Sequence, residues 1–153
     1  MPRADLDAID RKILTALQER ARMPNVELAG AVGLSPSPCL RRVRALEDCG
    51  VIRRYATLVD QSAVGLPVSV FVSVSLERQI ESALDEFEAT VKARPEVMEC
   101  YLMTGTADYL LRIVVSDLEA YERFLKEHLT RISGVSSIQS SFALKQIAYR
   151  TAL

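Results

Sequence analysis

The chain has 153 residues, 49% hydrophobic and 25% charged, an ordinary globular composition with room for one domain or two small ones. No stretch approaches the roughly 18 consecutive apolar residues of a membrane span, and the first seven residues lack the apolar run of a signal peptide, so a cytoplasmic protein is expected. The net charge of −1 hides an asymmetry: residues 1–60 carry 10 Lys and Arg against 8 Asp and Glu, whereas residues 61–153 carry 9 against 12. The overall balance gives no sign of a nucleic-acid partner, but the first third does.

Leu6, Ile9, Ile13, Leu14 and Leu17 recur at helical spacing, with Asp7 as cap and Asp10 favourable in the first turn, which predicts a helix over 7–19. Arg20 to Pro24 breaks the pattern. A short second helix follows, with Val26, Leu28, Ala29 and Val32 expected inward and Gly33 as its end. Ser35 then reads as the N-cap of a third helix, with Pro36 at its first position and Gly50 just past its end. Cys39, Leu40, Val43 and Leu46 form an apolar stripe on that helix. Ser37, Arg41 and Arg44 form another, with Pro38 and Arg42 beside it.

A short helix, a tight turn and a second helix with a basic front form a helix-turn-helix, and the first helix supplies its third wall. The front of the third helix suits DNA. Ser35, Ser37 and Pro38 stand at its start, Arg41 and Arg44 suit guanine, and Arg42 suits phosphate. Residues 51–59 are β-branched and strand-like, a wing or a linker strand, and Arg53 and Arg54 within them can touch flanking phosphates. Residues 60–67 are polar, then turn-forming, and serve as a junction.

The second half has a rhythm of its own. Val68, Val70, Val72, Val74 and Leu76 face one way, and Ser69, Phe71, Ser73 and Ser75 the other. A helix bearing Ile80, Leu84, Phe87 and Val91 follows, then strands over 97–104 and 109–115. A second helix carries Leu118, Tyr121, Phe124, Leu125 and Leu129, and a last strand covers 135–147. The order β-α-β-β-α-β describes a ferredoxin-like sandwich. The expected fold is therefore α+β: a winged-helix-like helix-turn-helix domain over 1–50, a linker strand and hinge over 51–67, and the sandwich over 68–153. The 109–115 strand is apolar on both sides, which predicts a homodimer. Cys39, Cys49 and Cys100 are odd in number, lack metal-ligand spacing and read as reduced, mostly buried thiols.

Taken together, Leu6 to Leu14, Asn25 to Ala29, Val32 to Val43 and Glu99 to Gly105 with Asp108 to Leu111 resemble the Lrp/AsnC family of transcription regulators nearly end to end. The resemblance implies dimers assembling further, often to octamers, on double-stranded DNA near amino-acid metabolism or transport genes. It implies no cofactor, no metal and no membrane partner. It also implies a small-molecule effector, an amino acid held between dimers near the turn Gly105-Thr106-Ala107-Asp108-Tyr109, with Tyr101, Met103 and Thr104 leading into it. There Gly105 lets a ligand approach the backbone and Asp108 can attract its ammonium group. Thr106 and Ala107 depart from the acidic and aromatic residues often found in the family, and the 140–147 tail suggests a sub-branch. Two other readings stand beside this one. One is an architectural DNA-wrapping protein without effector. The other is a haem-biosynthesis decarboxylase-like enzyme, for which the chain offers a single histidine, His128, expected as an exposed helix residue.

Overall fold

The computed structural model describes residues 5–153; the reading of the first residues as free of a signal peptide falls partly on 1–4, outside the described residues. The chain divides into two compact units, Met1–Leu58 with Ala148–Leu153, and Val59–Ile147.

The first unit holds three helices, α1 (Ala8–Glu19), α2 (Asn25–Val32) and α3 (Pro36–Asp48). Asp7 caps α1 as expected, and the cap is reciprocal. Its carboxylate accepts the Ile9 and Asp10 amides, each at 2.8 Å, while the Asp10 carboxylate accepts the Asp7 amide at 3.2 Å. Gly33 ends α2 in the left-handed region at φ 76°, and the Leu34 amide returns to the Ala29 carbonyl at 2.8 Å. That geometry turns the chain into α3 within two residues. Ile13, Leu17, Leu28, Ala29, Val32, Cys39 and Leu46 form the core of the unit.

The sequence reading needs correction at four places here. Val26 is exposed, because it lies about 110° around α2 from the arc of Leu28, Ala29 and Val32. Leu40 is exposed on α3, about 95° from the arc of Cys39, Val43 and Leu46. The Ser35 backbone is extended as an N-cap requires, but its hydroxyl makes no capping bond. Residues 51–59 form no strand, since among the described residues no neighbouring strand offers them a ladder.

The second unit is a βαββαβ sandwich: β1 (Val68–Leu76), α4 (Glu81–Lys92), β2 (Val97–Leu102), β3 (Tyr109–Val115), α5 (Leu118–Glu127) and β4 (Val135–Phe142). The sheet is antiparallel throughout, in the order β2-β3-β1-β4, which is the ferredoxin-like order. Both helices cover one face. Val70, Val72, Val74, Leu111 and Ile113 pack there against Phe87 and Val91 of α4 and Tyr121 and Phe124 of α5. The alternation read from β1 is the alternation observed.

The strand over 97–104 stops at Leu102, and the last stops at Phe142 rather than at 147, so residues 143–153 carry no regular structure. Leu118, as the first residue of α5, is exposed, and Leu129 packs from a 3₁₀ turn (Leu129–Arg131) instead of from α5. His128 is half-buried, not exposed: it caps α5, with its ring centroid 5.5 Å from that of Phe124 and Arg94 Nη1 3.4 Å from its ring nitrogens.

The other face of the sheet has no helix. Phe71, 40% exposed, stands on it beside Arg112, Leu110 and Tyr101 by register. Arg112 donates to Glu99 at 2.9 Å and to Gln61 at 3.2 Å, and Gln61 donates to Ser69 at 3.1 Å. This network ties the turn after Asp60 to the sheet. No helix among the described residues is long and apolar enough to cross a membrane.

Candidate nucleic-acid interface and effector turn

The front of α3 is set by its back. Cys39 and Leu46 are buried, Asn25 Nδ2 donates to the Pro36 carbonyl at 2.8 Å, and the Ile52 amide returns to the Leu46 carbonyl at 2.9 Å. Both ends of the helix are therefore fixed, and its orientation in the unit follows. Ser37, Arg41 and Arg44 are exposed on one face, where with Leu40, Ala45 and Asp48 they line a shallow groove of about 490 Å³. Ser35 is exposed and Pro38 half-buried at the helix start. Neither Arg41 nor Arg44 forms an ion pair among the described residues, so two guanidinium groups are available to an outside acceptor.

Arg42 is placed differently. Its Nη1 lies 2.7 Å from Asp7 Oδ2 and 2.8 Å from Asp10 Oδ1, so its guanidinium is held by the capping box of α1. The Asp10 amide, with help from Arg42, holds the Asp7 carboxyl below the ordinary carboxylate range. The pair of carboxylates in turn raises Arg42. Arg53 and Arg54 are exposed in the extended segment after α3. Sequence reasoning missed Leu40 as part of the front. Its angular position on the helix was the available signal.

The turn between β2 and β3 divides the other group of residues. Tyr101, Met103, Thr104, Gly105 and Thr106 are exposed, and Ala107 is half-buried. Gly105 sits at φ 122°, a conformation that L side chains rarely adopt. Asp108 and Tyr109 are buried instead. The Asp108 carboxylate accepts the Leu76 amide at 2.7 Å and Gln79 Nε2 at 2.6 Å, and its own amide donates to the Val74 carbonyl at 2.9 Å. Asp108 thus pins the turn to the end of β1. Gln79, which sequence reasoning did not single out, is its partner, and nothing in the spacing announced it.

Tyr109 packs its ring 4.4 Å from Phe87 by centroids and donates its hydroxyl to Glu88 at 3.1 Å. Burial, with Glu88 beside it, pushes the phenol up to about 12. Tyr101 lies on the uncovered face and donates to Glu99 at 3.1 Å. What the turn presents outward is a strained glycine, a threonine on either side of it, and the apolar bodies of Met103 and Tyr101. The carboxylate that sequence reasoning assigned to an ammonium group serves the fold on two of its lone pairs.

Both halves of the chain match family models. Residues 6–53 match a winged helix-turn-helix DNA-binding model, and residues 69–153 match the Lrp/AsnC ligand binding domain. The Bkd operon transcriptional regulator of Pseudomonas aeruginosa is 50% identical over 149 residues, which cover 97% of each chain. The leucine-responsive regulatory protein of Salmonella typhimurium is 41% identical over 146 residues, covering 95% of this chain and 89% of that one. Among solved structures, a transcriptional regulator of Neisseria meningitidis in complex with L-methionine superposes with a TM-score of 0.92 at 45% identity, covering 97% of this chain and 96% of that chain.

Proposed function

The chain belongs to the Lrp/AsnC family of transcriptional regulators, and on that premise we propose that α3 reads DNA while the Gly105 turn receives an amino-acid effector. The relatives are named regulators, and this chain is a regulator and not an enzyme. The observation that carries the DNA part is the pair of unpaired guanidinium groups, Arg41 and Arg44, beside Ser37 on a helix anchored at both ends. Such a helix enters the major groove, where an arginine can meet guanine O6 and N7 together. Ser35, Ser37, Arg53 and Arg54 then position the unit on phosphates, and Pro38 offers apolar contact.

Two copies pair across the sheet face that carries Phe71, Leu110 and Tyr101, and dimers assemble further, to an octamer. A two-fold dimer presents two such helices, so the operator has two related half-sites about one helical turn, roughly 34 Å, apart. The effector lies against the Gly105 backbone, between dimers. The support for an amino acid is the ligand of the Neisseria meningitidis relative together with the exposed turn.

Fluorescence anisotropy on the DNA upstream of the chain's own gene, at fixed salt and then with a panel of amino acids, tests the reading. Specific binding that one amino acid alters is the expected result. Specific binding that bends DNA and that no amino acid alters favours the architectural alternative. Binding no tighter than to a scrambled duplex removes that operator.

A further inference from the structure

β3 has two ends, and the Gly105 turn occupies one of them. At the other, where β3 meets α5 and the turn ahead of β2, lies a cavity of about 230 Å³. Its apolar wall comes from Leu66, Val114, Ala120 and Phe124, and Glu96 and Arg123 also line it. Glu96 Oε2 is shut off from solvent and has no hydrogen-bond partner among the described residues. An enclosed carboxylate oxygen without a donor costs stability, and an N–H from a ligand removes that cost. Arg123 forms no ion pair with Glu96, nor with Glu127 one turn along α5, among the described residues. One cavity thus carries two opposite charges that do not satisfy each other, with an apolar wall beside them.

We propose that this cavity is a second small-molecule site, one that takes a zwitterionic α-amino acid with a short apolar side chain. The ammonium group donates to Glu96, the carboxylate meets Arg123 as a planar fork suited to it, and the side chain lies against Leu66, Val114 and Phe124. Size agrees with that class. A liquid water occupies about 30 Å³, so the cavity takes several waters or one small zwitterion and nothing as large as a nucleotide. The proposal is independent of the effector reading of the Gly105 turn, because no residue is shared between the two.

Equilibrium dialysis of the full chain against each standard α-amino acid in radiolabelled form tests it, using wild type, Glu96→Gln, Ala120→Leu and Thr106→Trp. Glu96→Gln keeps the shape and removes the charge, Ala120→Leu fills the cavity, and Thr106→Trp crowds the Gly105 turn. At least one amino acid is expected to bind wild type and Thr106→Trp equally. Its affinity falls at least tenfold in both Glu96→Gln and Ala120→Leu, and its decarboxylated and deaminated analogues bind at least tenfold more weakly than the amino acid itself. Far-UV circular dichroism confirms that each variant is folded. If no amino acid binds more weakly to folded Glu96→Gln than to wild type, the proposal is overturned, whatever Ala120→Leu does. Binding that Thr106→Trp alone abolishes overturns it as well.

Discussion

Asp108 accepts the backbone amide of Leu76 through Oδ2 at 2.7 Å, across the turn that separates β2 from β3. With Gln79 on its other oxygen, the carboxylate holds the end of β1 and the segment entering α4 in one place. Asp108→Ala leaves the Leu76 amide without that acceptor, and the expected loss is about 1–3 kcal/mol of stability, read by chemical denaturation. Effector response and stability then fall together. Thr106 variants, on the exposed side of the same turn, lose response while their denaturation midpoint stays put. An Asp108→Ala protein of wild-type stability contradicts the pinning role.

The arginines of α3 separate into two kinds. Arg41→Ala is expected to weaken specific DNA binding by about 1–3 kcal/mol and to relax preference at one base, with the melting temperature unchanged. Arg42→Ala is expected to lower the melting temperature through its lost contacts to Asp7 and Asp10. Anisotropy titrations on operator and scrambled duplexes, paired with thermal melts, distinguish the two. Equal effects on both measurements for both variants remove the distinction.

The same pair gives the first unit an acid limit. The Asp7 carboxyl is held below its ordinary value, first by the Asp10 amide and then by Arg42. Its stabilisation is therefore present above the ordinary carboxylate pKa and is lost as the pH falls through the depressed value. Wild type is expected to melt above Asp7→Asn at neutral pH, with the gap closing in strong acid. A gap that is constant with pH assigns the difference to something other than this charge.

At the alkaline end the relevant group is Tyr109. Its phenol is pushed up to about 12 from an ordinary 10.0, so the folded chain keeps a proton that the unfolded chain gives up. The stability it contributes is complete below about 10 and is lost as the pH rises through about 12. Denaturation midpoints of Tyr109→Phe are expected to fall less steeply than wild type across that window. Tyr55, beside Glu47, is raised to about 12 as well, and Tyr55→Phe serves as the half-exposed comparison.

Phe71→Asp tests the pairing of copies. Phe71 lies on β1, a central strand, and on the face without helices. A charge there is expected to leave the helix-side core untouched and to shift the species seen by sedimentation toward the monomer. Operator affinity falls with it, since two linked half-site contacts bind far more tightly than one. Unchanged sedimentation places the interface elsewhere.

How far the sequence reached differs between the halves of each element. The period of 2 over 68–76 and the period of 3.6 in α1 and α3 identified every element of both units, because the alternation of burial is written directly in residue type. Gly33 and Gly50 marked helix ends for the same local reason: both stand at φ 76°. Residues 51–59 show the limit. Their β-branched composition meets the local requirement of a strand, but a strand also requires a neighbour, and composition does not supply one.

Charge was legible in the same partial way. The sequence by itself determined that α3 is basic in front and apolar behind, since both follow from position on a helix. Only the tertiary structure decided that Arg42 is held by α1 while Arg41 and Arg44 stay free, because that depends on where Asp7 and Asp10 stand, more than thirty residues away. It likewise turned Asp108 from a ligand-facing carboxylate into a clasp on Leu76, and it enclosed Glu96 without a donor. Local conformation is set by neighbours along the chain. The partners of a charged or polar side chain are set by what the fold brings to it.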